Sequence, residues 1–160
     1  MKKIPVFFAG IIFLSALLTI TAFKSAPPGP SINGQGTLNA AYLNGTQHFS
    51  FHASKNSAGN VSGTFESKSP GQEIRVHGNI DCFNILADGK TAYVSGVVTE
   101  VVGEGYPIAV GNHIWFKIQD NGEGANAAAD KFSDYFVFGV CQNLNVGLQD
   151  ITGGNIQVKP

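Results

Sequence analysis

Beyond its first two dozen residues the chain alternates apolar and polar side chains with a period of two, and that restricts it to a sheet. Over 46–54, Phe49, Phe51 and Ala53 fall on one side, with His48, Ser50, His52 and Ser54 on the other. Over 60–67, Val61, Gly63 and Phe65 oppose Ser62, Thr64 and Glu66. Over 73–86, Ile74, Val76, Ile80, Cys82 and Leu86 share one face, against Arg75, His77, Asn79 and Asp81. Half-buried antiparallel strands produce this pattern. The intervening segments 56–59, 69–71 and 87–89 hold the Asn, Pro, Asp and Gly of tight turns, so consecutive strands are expected to pair as hairpins.

Residues 91–102 are apolar on both faces, through Tyr93, Val94, Val97, Val98, Val101 and Val102, as in a central strand. A Gly/Pro loop at 103–111 precedes a strand at 113–120. The loop at 120–131 is longer, and Ala127 to Ala129 allow it one helical turn. Residues 134–141 read as an aromatic strand with Phe136, Phe138 and Val140 on one side, and 155–159 as a short closing strand. With 32–39 at the start, about eight strands are predicted: an all-β fold, one antiparallel sandwich or closed barrel around one core.

Ahead of the sheet the chain reads as a secretory leader. Lys2 and Lys3 form a basic start, 4–23 carries no charge, and Ala22 is a small residue where a signal peptidase can cut. The expected division is a signal peptide at 1–22, a Pro-rich linker at 23–30 and a single β domain at 31–160. The uncharged run is also near the length that spans a bilayer, so a retained N-terminal anchor is the alternative and the only expected route to a membrane. No Cys stands near the boundary, which excludes lipoprotein-type attachment. The protein is therefore expected to be secreted or periplasmic, or else anchored through residues 4–23.

The 130 residues of the domain suffice for a core of their own. Setting aside Lys2 and Lys3, 8 basic residues face 11 acidic ones, a net charge near −3 with no basic cluster. A phosphate backbone needs a clustered basic face, so nucleic acid is excluded as a partner.

Two cysteines are present, Cys82 and Cys141. In an exported chain an isolated pair most simply forms a disulfide. Closing a loop of about 60 residues stabilises by about 4 kcal/mol in the chain-entropy model. Cys82 shares the inward phase of Ile80 and Val76. Cys141 has the opposite phase to Phe136 and Phe138, so a bulge or twist must turn it inward. Pairing further requires that the two strands be neighbours or face one another across the core. Nothing around either residue favours a thiolate nucleophile. In an envelope without an oxidising system both would be buried free thiols instead.

Among the candidate sites, His48 and His52 lie about 13 Å apart along a strand, too far to share an ion. The stretch Asp120-Asn-Gly-Glu-Gly124 offers oxygen donors in a Gly-rich loop, and Asp120, Glu123 and Asp130 form a candidate calcium site. The EF-hand spacing is absent, since Gly122 and Gly124 occupy ligand positions, and the competing reading is turn geometry with solvated acids. No cofactor other than calcium is indicated. Neither Gly-x-Ser-x-Gly nor His-Glu-x-x-His occurs, so no catalytic residue is assigned. Tyr93, Trp115 and Tyr135 fall opposite the clearest apolar residues of their strands. Aligned on one face they would stack on sugar rings or a protein partner; the alternative is that this second face is covered as well.

The stretches Phe49-Ser-Phe51, Gly59-Asn-Val-Ser-Gly63, Ile74-Arg-Val-His-Gly78, Asp120-Asn-Gly-Glu-Gly124 and Gly153-Gly-Asn-Ile-Gln-Val158 resemble a group of small exported bacterial β-domains near the post-COAP domain. The likeness spans most of 34–158. It implies an extracytoplasmic β-domain, sometimes joined to adhesion modules, with no catalytic residues to transfer. Two functions are carried forward. The first is a non-enzymatic exported domain that binds an envelope glycan or protein, or has a structural role. The alternative is a small barrel enzyme or ligand carrier with an enclosed pocket, in which Glu100, His77 or His113 would converge with an aromatic ring.

Overall fold

The computed structural model describes residues 28–40, 45–104, 107–124, 126–137, 139, 141 and 144–160. The leader and most of the linker lie outside these residues, as do Phe138 and Val140. Among the described residues ten strands form: β1 (Ser31–Ala40), β2 (Gly45–Lys55), β3 (Val61–Ser69), β4 (Ile74–Ile85), β5 (Thr91–Val102), β6 (His113–Gln119), β7 (Lys131–Phe132), β8 (Phe136–Val137), β9 (Gln149–Asp150) and β10 (Gly153–Lys159). All pairings are antiparallel, in the order β10-β1-β2-β3-β4-β5-β6-β7-β9, with β8 also beside β6. The single sheet curls into a half-barrel. β1 to β6 follow one another as predicted, and the turn residues explain why. Asn56 accepts the amides of Ala58 and Asn60 through its side chain. Asp88 does the same for Lys90 and Thr91, and Gly89 takes a φ of 69°.

The concave side is packed with rings. Phe49, Phe51, Phe65, Phe116 and Phe132 are all buried there, with Phe49 and Phe132 stacked at 4.5 Å and Phe116 and Phe132 at 5.0 Å. Three of these rings lie over a glycine directly across the ladder: Phe51 over Gly34, Phe49 over Gly36 and Phe65 over Gly78. A Cβ on Gly34 would stand 2.6 Å from Cζ of Phe51. The glycines thus vacate the space that large rings need on a tightly curled sheet.

Two predicted phases are corrected. In β4 the register shifts between Ile80 and Cys82, so Asp81 is the extra residue of a bulge. Beyond it Phe83 points into the core, and Cys82 pairs with Ser95 on the outer face. The inward phase expected for Cys82 is therefore wrong, because a bulge exchanges the two faces of everything after it. The strand expected at 134–141 is displaced to 131–137 and broken. Ile118 pairs with Phe132, but Trp115 pairs with Phe136, a register one residue out of step. Ser133 causes the break: its hydroxyl accepts the Lys117 amide and donates to the Asp134 carbonyl. Phe136 consequently lies outside and stacks on Trp115 at 4.6 Å, not inside with Phe49 and Phe51. No helical turn forms at Ala127 to Ala129.

Cys82 and Cys141 are disulfide-bonded, with Cα atoms 5.9 Å apart. The bond places Cys141 on the outer face of β5. There the Cys141 amide donates to Ser95 Oγ, and Tyr93 Oη donates to the Leu144 carbonyl at 2.8 Å. This explains why β5 is buried on both faces from Thr91 to Gly96.

Candidate functional site

The face of β10, β1, β2, β3 and β4 opposite the rings is polar, and register decides which side chains meet on it. One row across the strands reads Gln157, Asn33, His52, Thr64, Asn79; the next reads Asn155, Gln35, Ser50, Glu66, His77. Neighbours in a row are separated by the strand spacing of about 4.8 Å. Ser50 and Thr64 are short and stand among longer side chains, so an open trough of about 550 Å³ lies over them. A second trough of about 620 Å³ continues towards Pro70 and Gly154 and shares Gln35, Ser50 and Glu66 with the first.

Charge at this face is balanced locally. Glu66 bonds Lys68 Nζ at 2.8 Å and Arg75 Nε at 2.7 Å, and Arg75 also reaches Glu100 at 3.5 Å. The hydrogen bond from Lys68, with that from Arg75, holds the Glu66 carboxyl below its ordinary value. At the other end, Glu123 accepts from Gln157 Nε2 at 3.1 Å and from Asn155 Nδ2 at 2.8 Å, and these bonds lower its pKa as well. His52 Nδ1 lies 3.3 Å from Thr64 Oγ1, and His77 Nδ1 lies 3.2 Å from Thr99 Oγ1. What remains is an array of amides, hydroxyls and imidazoles suited to a polar, uncharged ligand.

The residues singled out in the sequence assemble otherwise. Tyr93 and Trp115 do share the outer face, 6.3 Å apart, but are only 2% and 3% exposed beneath the disulfide-held segment and Phe136. Tyr135 packs inside, against Phe65, Phe116 and Phe132. No aromatic stacking face is formed by the three. Their phases were read correctly for Tyr93 and Trp115; the break at Ser133 reversed that of Tyr135.

The carboxylates proposed for calcium are engaged elsewhere. Asp120 accepts the amides of Gly122 and Val158, and Asp130 those of Asn121 and Ile156, each at 2.7 to 2.9 Å. With Glu123 held by Asn155 and Gln157, all three acids bind β10 or their own loop. Among the described residues no three His, Cys, Asp or Glu side chains gather as metal ligands.

A serine, an aspartate and a histidine do meet near the disulfide. His113 Nε2 lies 2.7 Å from Asp81 Oδ2, and Ser95 Oγ donates to Asp81 Oδ1 at 3.4 Å. The aspartate stands between the other two, so the imidazole has no hydrogen bond to the hydroxyl whose proton it would have to accept. Ser95 is moreover fully buried. His77, Glu100 and His113 are not brought together: His77 borders the open trough, His113 bonds Asp81 and Glu100 engages Arg75.

Sequence reasoning did not find the trough. Its signal was present in the outward phases of β1 and β10, where Asn33, Gln35, Asn155 and Gln157 recur at every second position. That β10, from the far end of the chain, would lie beside β1 was not legible. Compared with known proteins, the chain matches no family model, no curated protein and no solved structure.

Proposed function

We propose that this chain is an exported, non-enzymatic β-domain that acts at the cell envelope by binding through its outer surface. The observation that carries this reading is the filled interior: stacked Phe49, Phe116 and Phe132 occupy the space in which a carrier or barrel enzyme would hold its ligand. The two troughs, by contrast, open directly to solvent on paired strands. The disulfide is compatible with an oxidising compartment, and no helix of the described residues is long and apolar enough to cross a membrane. On this reading the half-barrel acts as a closed barrel, its last seam bridged by Asp120 and Asp130 on the free side of β10 rather than by a backbone ladder.

The test is fractionation of cells producing the full chain, with thiol titration and sedimentation against washed envelope material. Recovery outside the cytoplasm, without free thiols and bound to envelope material, is expected. Recovery in the cytoplasm with two free thiols, or no association with the envelope, would overturn the reading.

A further inference from the structure

We infer that the paired troughs over Ser50 form a binding groove for a neutral, hydroxyl-rich chain, an uncharged oligosaccharide. The inference rests on the reading of the protein as a surface-binding domain and names the ligand class of that surface.

Three features lead to it. The first is shape. The two troughs meet at Gln35, Ser50 and Glu66, so the groove runs along the strands from the Asn33–His52 pair to the Thr37–His48 pair. Four residues of strand make that about 13 Å, longer than one sugar ring. A groove open along its length and at both ends suits a chain better than a single small molecule.

The second is donor and acceptor chemistry. Amide side chains offer both kinds of group side by side, and the hydroxyls of Ser50 and Thr64 can serve in either role. A sugar hydroxyl likewise donates and accepts. All these side chains project from paired strands, so little backbone ordering is required when the ligand arrives.

The third is what the groove lacks. The cations at its edge, Lys68 and Arg75, are already bonded to Glu66, which leaves no concentrated positive field for a polyanion. Its floor holds Ser50 and Thr64; Phe49, Phe51 and Phe65 border it but are buried in the core, so they form no socket for a bound peptide's side chains. A peptide added to a sheet also needs a free edge, and β1, β2 and β3 are paired on both sides. A neutral hydroxylated chain satisfies all three conditions.

The test is calorimetric titration of the full chain with maltohexaose, cellohexaose and chitohexaose, alongside heparin as an anionic control. At least one neutral hexasaccharide should bind with a dissociation constant of about a millimolar or tighter, equally at low and high salt. Ser50→Trp fills the point shared by both troughs and should weaken that binding at least about tenfold. Gln35→Ala, an exposed truncation that leaves the core untouched, should weaken it about threefold, guarding against a Ser50→Trp that misfolds. Failure of every neutral hexasaccharide, binding unmoved by both variants, or salt-sensitive preference for heparin would each overturn the inference. If the hexasaccharides fail while the chain still sediments with envelope material, the groove assignment falls and the broader binding reading stands. If both fail, both fall.

Discussion

At the residue scale, the fold depends on matching a glycine to a phenylalanine across the ladder. Gly78 is the most constrained of these positions, because an added Cβ would meet both the Phe65 ring and the Val97 carbonyl. Neither can withdraw: Phe65 is buried against Phe116, and the carbonyl belongs to β5. Gly78→Ala should therefore destabilise by about 1–3 kcal/mol through overpacking, despite the favourable entropy of replacing glycine. Urea denaturation would measure it, and an unchanged midpoint would show that the sheet relaxes around the methyl group. The alternation placed Phe49, Phe51 and Phe65 inside correctly. It could not show that each would stand opposite a glycine, because register between strands is a property of pairs.

At the element scale, β10 is held on its two sides by different chemistry. On one side it pairs with β1 over seven residues. On the other, the amides of Ile156 and Val158 go to the carboxylates of Asp130 and Asp120. Backbone amides two residues apart on an edge strand point the same way, so two acidic side chains substitute for a missing neighbour. Asp130 is only 5% exposed, and removing it would leave the amides of Ile156 and Asn121 without these acceptors. Asp130→Ala should cost about 2–4 kcal/mol, and Asp130→Asn, which retains one acceptor oxygen, about half as much. Amide exchange at Ile156 gives the site-specific check: its protection should fall more than that of Val94 in β5, five strands along the sheet. Equal loss at both would mean that the carboxylate supports the whole fold and has no local role at the seam. The sequence marked Asp120 and Asp130 as the chemically notable acids and assigned them to calcium. Their partners lie about 30 residues ahead in the chain, beyond the reach of motif spacing.

At the scale of the whole molecule, the disulfide joins parts of the chain that the sheet alone would leave apart. The closed loop spans 59 residues, and it holds Cys141 against Ser95, beside the Tyr93–Leu144 hydrogen bond on the outer face of β5. Replacing both cysteines by serine should remove about 4 kcal/mol of stability. It should also redden the fluorescence of Trp115, the single tryptophan, as water gains access to the outer face of β6. A lower melting temperature with unchanged emission would mean that Phe136 keeps Trp115 covered without the bond. The cysteine pairing was legible from the count of two in an exported-looking chain. The face on which it lies was not, because the bulge at Asp81 moved Cys82 to the outside.

Local chemistry was therefore determined by the sequence itself: an all-β chain, the positions of six main strands and their turns, an inward phase for most large apolar residues, and one cysteine pair. These follow from nearest-neighbour periodicity and turn geometry, which act over a few residues. Tertiary structure decided the rest. Two one-residue register shifts exchanged inside for outside, distant acids became the partners of β10, and five strands brought their outward amides and hydroxyls into one groove. Each of these depends on which strand lies beside which and in what register, and long-range packing of the rings sets that.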